Sequence, residues 1–343
     1  MKMNNSELHN ISSNTSEAAC FRDTVITQRI LPLLYLAIFI GGLFLNSLAA
    51  WIFVEVSHHS SFTVYLKNIV VADILMSLTF PVKIISDSGL GSWELKVFIC
   101  RFSAVIFYLN MYIGIIFLGL ISFDRYIKIV KQSGTFVTPA FARTASAAVW
   151  IFMLVLLVPN IILTSNPATQ ENSQNCMNLK SYLGRRWHEV SNYMSVAIFW
   201  IVLILLVVCY TLISKKVYDS YRKFRRNSEA TTRRSTRNIF SIIIIFFLCF
   251  VPYHVCRLPY TFSQTTVHFN CQMKTRWYYI KEITLLLSSL NVCLDPTIYF
   301  LLCRSFRELL MRKLHFQLRS SRIAEFLDTQ RRSSTAANSE SIL

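Results

Sequence analysis

Tyr253, Arg257, Tyr260 and Gln264 recur at i, i+4, i+7 and i+11 of one apolar stretch, which places them on a single helical face. A second stripe begins at Lys281 and continues through Leu285, Ser288 and Asp295. His188 and Asn192 share one face of another stretch, and Tyr108 lies about two turns beyond Cys100. Lys96 and Lys180 add cations to the same neighbourhood. Arginine offers a bidentate fork and lysine a point charge, while tyrosine supplies a stacking face. The combination suits a phosphate-bearing molecule with a flat ring. Lys96 and Lys281 also suit plain snorkelling to a membrane interface, and His188 an interfacial hydrogen bond. Arg257, inside an apolar stretch beside Pro259, needs an anion.

Four polar residues stand where apolar surroundings make them costly. Asp73 follows Asn68-Ile69-Val70-Val71-Ala72, Asn46 is midway along the first apolar block, and Asn291 with Asp295 lies low in the last. Together they read either as a hydrogen-bonded network or as an oxygen-rich sodium site at Asp73, Asn291 and Asp295. Asp124-Arg125-Tyr126 closes the third block, with Asp124 the nearest partner for the Arg125 guanidinium.

These residues need elements to hold them, and composition says which. The 343 residues are 53% hydrophobic and only 15% charged, against about a quarter charged in soluble domains. The apolar residues fall in blocks at Ile30–Val54, Thr63–Ile85, Phe98–Ile121, Ala142–Leu163, Val190–Ile213, Ile239–Leu258 and Tyr278–Leu302. A helix crosses the hydrocarbon layer with about 20 such residues, and the alternation of a barrel strand is missing. The expectation is an all-α fold of seven transmembrane helices (30–302) after an amino-terminal segment (1–29). A short amphipathic eighth helix (303–316) and a disordered tail (317–343) follow.

Nine Lys and Arg between 215 and 237, and eight between 304 and 332, put both segments in the cytoplasm by the positive-inside rule. The amino terminus is then extracellular, where glycosylation sequons stand at Asn4, Asn10 and Asn14. Residues 1–14 have no apolar core, so the first span is expected to serve as an internal signal. The net charge of +17 belongs to a face beside anionic lipid rather than to nucleic-acid binding.

Nine cysteines divide by position. Cys209, Cys249, Cys256, Cys293 and Cys303 lie in or at the ends of apolar helices. Cys20, Cys100, Cys176 and Cys271 face the compartment that favours disulfides. Spacing allows three pairings of these four. The placement of Cys100 at the top of the third span, with Cys176 in the next outer loop, favours that bridge and leaves Cys20 for Cys271.

Across residues 20–315 the chain resembles rhodopsin-like G-protein-coupled receptors. The ordered set is Asn46, Asp73, Trp93 before Cys100, Asp124-Arg125-Tyr126, Trp150, Cys176, Tyr210, Cys249-Phe250-Val251-Pro252, Asp295-Pro296-Thr297-Ile298-Tyr299 and Phe306. Asp295 stands where that family usually has Asn, Phe250 where Trp is commoner, Val202 where Pro is frequent, and Gly114 where a Ser often helps to hold sodium. Phe80-Pro81-Val82-Lys83-Ile84, Phe107-Tyr108-Leu109-Asn110-Met111-Tyr112, Pro159-Asn160-Ile161-Ile162-Leu163-Thr164, Trp187-His188, Arg257-Leu258-Pro259-Tyr260-Thr261, Ser263-Gln264 and Lys281-Glu282 narrow the likeness. They resemble purinergic nucleotide receptors of the ADP and UDP-sugar branch. Ser122-Phe123-Asp124-Arg125-Tyr126 and Arg237-Asn238-Ile239-Phe240-Ser241-Ile242 are most similar to the UDP-glucose-responsive members.

The resemblance implies that Arg257, Tyr260, Gln264, Lys281 and Lys180 hold phosphates or adjoining polar groups. Tyr108, Asn160, His188 and Asn192 then surround base and ribose. Asp124, Arg125, Tyr126, Tyr210, Pro252, Asp295, Pro296 and Tyr299 serve activation. It further implies a plasma-membrane receptor for an extracellular nucleotide or nucleotide sugar, UDP-glucose or UDP ahead of ADP. Its expected partners are an inhibitory Gi/o protein that lowers cyclic AMP, arrestin at the Ser/Thr-rich tail, and membrane lipid. No cofactor is expected beyond an allosteric sodium ion.

A lysophospholipid receptor is a neighbouring alternative, and a transporter or channel is the alternative of another class. The chain lacks the repeated halves common in transporters, and it lacks HExxH or paired catalytic carboxylates that would suggest an enzyme.

Overall fold

The computed structural model describes residues 24–56, 60–131, 138–174, 176–223, 229–265 and 270–313. Among them are seven helices long and apolar enough to cross a membrane. They are α1 (Ile26–Glu55), α2 (Ser61–Asp87), α3 (Trp93–Lys131), α4 (Pro139–Ile162), α5 (Tyr182–Lys223), α6 (Glu229–Thr265) and α7 (Cys271–Leu302). Residues 304–313 form a further short helix, α8. The chain is a seven-helix membrane bundle, as the blocks require. The helices outrun the blocks because their ends are polar: α5 begins eight residues before Val190, through Arg185 and Arg186. Asn4, Asn10, Asn14 and Cys20 lie outside the described residues.

Helix α3 is the hub. Its apolar window is 72% buried, against 28% for α4, which mostly faces lipid. Val202, in the position where a proline is frequent in similar chains, instead packs onto Gly119 of α3. A Cβ on that glycine would meet Val202 Cγ1 at 2.9 Å, so only glycine lets α3 and α5 approach this closely.

Prolines interrupt the backbone ladder in α2, α4, α6 and α7, and side chains bond carbonyls near several of them. Pro296 has no N–H to give the Val292 carbonyl, four residues back. That carbonyl accepts Asn46 Nδ2 of α1 at 2.6 Å instead. Near Pro252, Ser288 Oγ of α7 donates to the Cys249 carbonyl at 2.8 Å, and His254 Nδ1 donates to the Phe250 carbonyl at 2.8 Å. In α4, Trp187 Nε1 donates to the Leu156 carbonyl at 3.1 Å, just before the interruption at Pro159.

Cys100 and Cys176 form a disulfide that ties the α4–α5 connection to the head of α3. Cys271 is also disulfide-bonded, and its expected partner Cys20 is outside the described residues. At the opposite end, Phe306 of α8 packs on Phe53 of α1 and Tyr299 of α7. Arg307 caps the Phe300 and Leu301 carbonyls at the end of α7.

Candidate functional site

The Cys100 end of the bundle holds a directional chain of hydrogen bonds. Arg257 Nη2 on α6 donates to Asn192 Oδ1 on α5 at 3.1 Å. Asn192 Nδ2 lies 3.1 Å from His188 Nε2, and His188 Nδ1 lies 3.3 Å from Asn160 Oδ1 on α4. Asn160 Nδ2 in turn donates to Ser191 Oγ. An amide nitrogen only donates, so His188 Nε2 accepts and Nδ1 carries the proton. The chain ends near Lys180, whose ammonium donates to Thr164 Oγ1 at 3.2 Å, while Thr164 donates to the Asn160 carbonyl at 2.6 Å. Lys180 is buried, which pushes its amine down to about 8.

Aromatic rings wall this chain. The Arg257 guanidinium lies 5.7 Å from the Tyr108 ring centre and 5.9 Å from that of Tyr253, and these two rings are stacked 6.3 Å apart. Below them Tyr112 donates to His254 Nε2 at 3.1 Å, and His254 stacks on Phe199 at 3.7 Å. Lys281 lies over Tyr260 at 5.4 Å and over Tyr278 at 4.9 Å.

The basic residues sort into two kinds. Lys281 pairs with Glu282, whose second oxygen lies 3.5 Å from Lys83, and Lys83 pairs with Asp87 at 2.7 Å. Two ammonium groups thus face two carboxylates between α2 and α7. Arg257 and Lys180 have no carboxylate within 4.0 Å among the described residues, so both are open to an exogenous anion. Lys96 stands half-buried near the start of α3, four residues before Cys100. Gln264 lies on α6, with its side chain outside the described residues.

Sequence reasoning missed Lys83, Asp87, Glu282 and His254 as members of this cleft. Lys83 and Asp87 carry an i, i+4 signal, but the link to Glu282 spans 199 positions and depends on how α2 meets α7.

A sequence model of the family described as "7 transmembrane receptor (rhodopsin family)" matches residues 45–299. The chain belongs to that family. The receptor is 51% identical to purinoceptor 14 of Bos taurus over 90% of its own length and 93% of the relative's. It is 55% identical to purinoceptor 14 of Rattus norvegicus over 81% and 92% of the two chains. With purinoceptor 13 of Homo sapiens it shares 44% identity over 86% and 84%. These relatives bear out the expected purinergic branch, and all are receptors rather than enzymes.

The receptor's core carries the polar cluster foreseen around Asp73. Asn46, Asp73, Asn291 and Asp295 are all at most 1% exposed. Tyr299 donates to Asp73 Oδ2 at 3.3 Å. Asn46 Oδ1, Asn291 Oδ1 and both Asp295 carboxylate oxygens have no hydrogen-bond partner among the described residues. Two buried carboxyl groups near each other need a countercharge or must stay protonated, and the unpaired oxygens around them suit a hard cation. A Cβ at Gly114 would meet only Asn291 Nδ2, at 3.9 Å, so the glycine leaves room there.

At the receptor's other end the structure corrects the expected partner of Arg125. Asp124 is held by Lys128 at 2.9 Å and by Ser61 at 2.7 Å, not by its neighbour. The Arg125 guanidinium lies over the Phe62 ring at 4.1 Å. A side chain at i+4 is the closer neighbour on a helix, because successive side chains diverge by about 100°. Tyr126 is half-buried, and the Ser122 hydroxyl is 3.3 Å from that of Tyr210.

Proposed function

We propose that this protein is a plasma-membrane receptor for an extracellular nucleotide or nucleotide sugar, with UDP-glucose or UDP as the favoured agonist. The Cys100 end faces outward, with the amino terminus extracellular and glycosylated at Asn4, Asn10 and Asn14, and the carboxyl terminus faces the cytoplasm. One observation carries the reading: Arg257 sits half-buried at the end of a fixed hydrogen-bond chain with no carboxylate among the described residues to balance it. Phosphates placed against Arg257, Lys281, Lys180 and Tyr260, with Gln264 and Lys96 on the approach, would neutralise that charge. Base and ribose then lie against Tyr108, Tyr253, Asn160, His188 and Asn192. ADP is the second reading, because Leu157, buried near the expected base position, offers no polar group to distinguish one base from another.

Agonist would act by population shift. Only a ligand that binds the active arrangement better can move the equilibrium, and about 5.5 kcal/mol moves it from 1:99 to 99:1. Two or three charge-assisted contacts at about 1.5–3 kcal/mol each supply that difference. Drawing the ends of α6 and α7 toward the phosphates would swing α6 about Pro252, and α7 would adjust at Pro296. Tyr210 and Tyr299 would line the rearranged core while Arg125 meets the G protein. The partner is taken to be of the Gi/o type, lowering cyclic AMP, with arrestin binding the Ser/Thr-rich tail. A sodium ion held by Asp73, Asn291 and Asp295 would favour the resting arrangement.

The test is GTP exchange on purified Gi heterotrimer by reconstituted receptor, with ADP, UDP, UDP-glucose and a lysophospholipid as a panel. Exchange driven best by UDP-glucose or UDP is expected. A response confined to the lysophospholipid, or solute flux without exchange, overturns the reading.

A further inference from the structure

Two consecutive residues of α2 engage two consecutive residues of α3. Ser61 donates to Asp124 Oδ1 at 2.7 Å, and the Phe62 ring carries the Arg125 guanidinium at 4.1 Å. Lys128 closes the first contact into a triangle, donating to Asp124 Oδ2 at 2.9 Å and to Ser61 Oγ at 2.8 Å. Lys128 lies in the π-helical turn Ile127–Lys131 that ends α3, and single π turns of this kind often sit at functional sites. Asp124 is 1% exposed, whereas the Lys128 side chain keeps 34% exposure and reaches the bundle edge. Arg125 Nε is buried without a hydrogen-bond partner among the described residues.

We propose that Lys128 is the positioning residue that keeps Arg125 available for coupling, by occupying the carboxylate that would otherwise capture it. A buried carboxylate with one cation removed draws the next nearest cation, and Arg125 is adjacent in the chain. An aromatic face holds a guanidinium less firmly than a desolvated carboxylate does, so Arg125 stays on Phe62 only while Asp124 is satisfied. Lys128 thereby sets how readily the resting receptor activates a G protein. The inference rests on the coupling role proposed above for this end of the bundle, and not on the identity of the agonist.

The experiment reads agonist-free GTP exchange on Gi heterotrimer, per mole of folded receptor in lipid nanodiscs. Lys128→Gln is expected to lower exchange at least about threefold, and Lys128→Arg to restore it to within about twofold of wild type. On an Asp124→Asn background, Lys128→Gln should make no further difference, because the carboxylate it shields is gone. If Lys128→Gln does not fold, Ser61→Ala serves in its place, with a smaller loss in the same direction. Exchange equal to or above wild type in Lys128→Gln overturns the proposal. The same loss on the Asp124→Asn background also overturns it, since Lys128 would then touch the G protein directly. Absence of exchange by wild type with UDP, UDP-glucose and ADP all added would refute the coupling reading itself, an outcome distinct from both.

Discussion

Glu282 lies between two lysines, paired with Lys281 through one carboxylate oxygen and 3.5 Å from Lys83 through the other. The α7 cation is therefore already balanced in the resting protein. A phosphate reaching Lys281 must share it with Glu282 or displace it, and that exchange ties ligand binding to the seam between α2 and α7. Among the described residues, the Cys100 end thus offers Arg257 and Lys180 without a carboxylate and Lys281 as a shared cation.

Replacing Lys281 with Gln leaves Glu282 facing Lys83 alone. Loss of one charge-assisted contact costs about 1.5–3 kcal/mol, or about tenfold or more in potency for phosphate-bearing agonists. Concentration–response curves for GTP exchange, normalised to surface receptor, check this. Unchanged potency would mean that Lys281 serves only Glu282.

Arg257→Ala should be more severe for signalling than for folding. Arg257 is held by Asn192 and two tyrosine faces, and its removal leaves Asn192 Oδ1 without that donor but buries no orphan charge. The expected loss is about 10- to 150-fold in agonist potency, with surface expression close to wild type. Arg257→Lys keeps the charge but not the fork and should recover only part of it. Potency equal to wild type in the alanine variant would remove Arg257 from the site.

Lys180 gives the cleft a pH dependence whose sign is fixed. Burial pushes its amine down to about 8, so the free receptor carries the charge at pH 7 and has largely lost it by pH 9. An anion binds the charged form better and raises the amine's pKa on binding. Affinity for a phosphate-bearing agonist should therefore fall as pH rises from 7 to 9, by up to about tenfold. Lys180→Arg, charged throughout, should flatten the profile in a binding titration. A flat wild-type profile would place Lys180 away from the phosphates.

Legibility from sequence depended on the range of the interaction concerned. The spans were legible because hydrocarbon demands about 20 apolar residues in succession, whatever the packing. Their ends were not, since α5 continues through Lys215 and Lys216 to Lys223 on helix propensity and local contacts. The Arg257 face was legible because a helix repeats every 3.6 residues, and α6 does bring Tyr253, Arg257 and Tyr260 to one cleft. Asn46 stood out as a polar residue in an apolar block, but its partner did not. That partner is a backbone carbonyl freed by Pro296, 246 positions from Asn46 in the chain at Val292. For Asp124 the signal was local, and i+4 outranked adjacency.

The buried oxygens around Asp295 yield a prediction that separates an ion from a plain polar network. If sodium sits among Asp73, Asn291 and Asp295, it binds the folded receptor and not the unfolded chain. It then stabilises by about 2.7 kcal/mol when present at a hundred times its dissociation constant. Raising sodium against choline at constant ionic strength should lift the melting temperature of agonist-free receptor by several degrees. Asp295→Asn removes one of two facing carboxylates, so this variant should melt higher than wild type without sodium and respond little when sodium is added. An equal sodium response in the variant and the wild type would move the ion elsewhere. No response in either would leave Asp73 and Asp295 in a plain polar network, with Tyr299 donating to Asp73 and no cation between them.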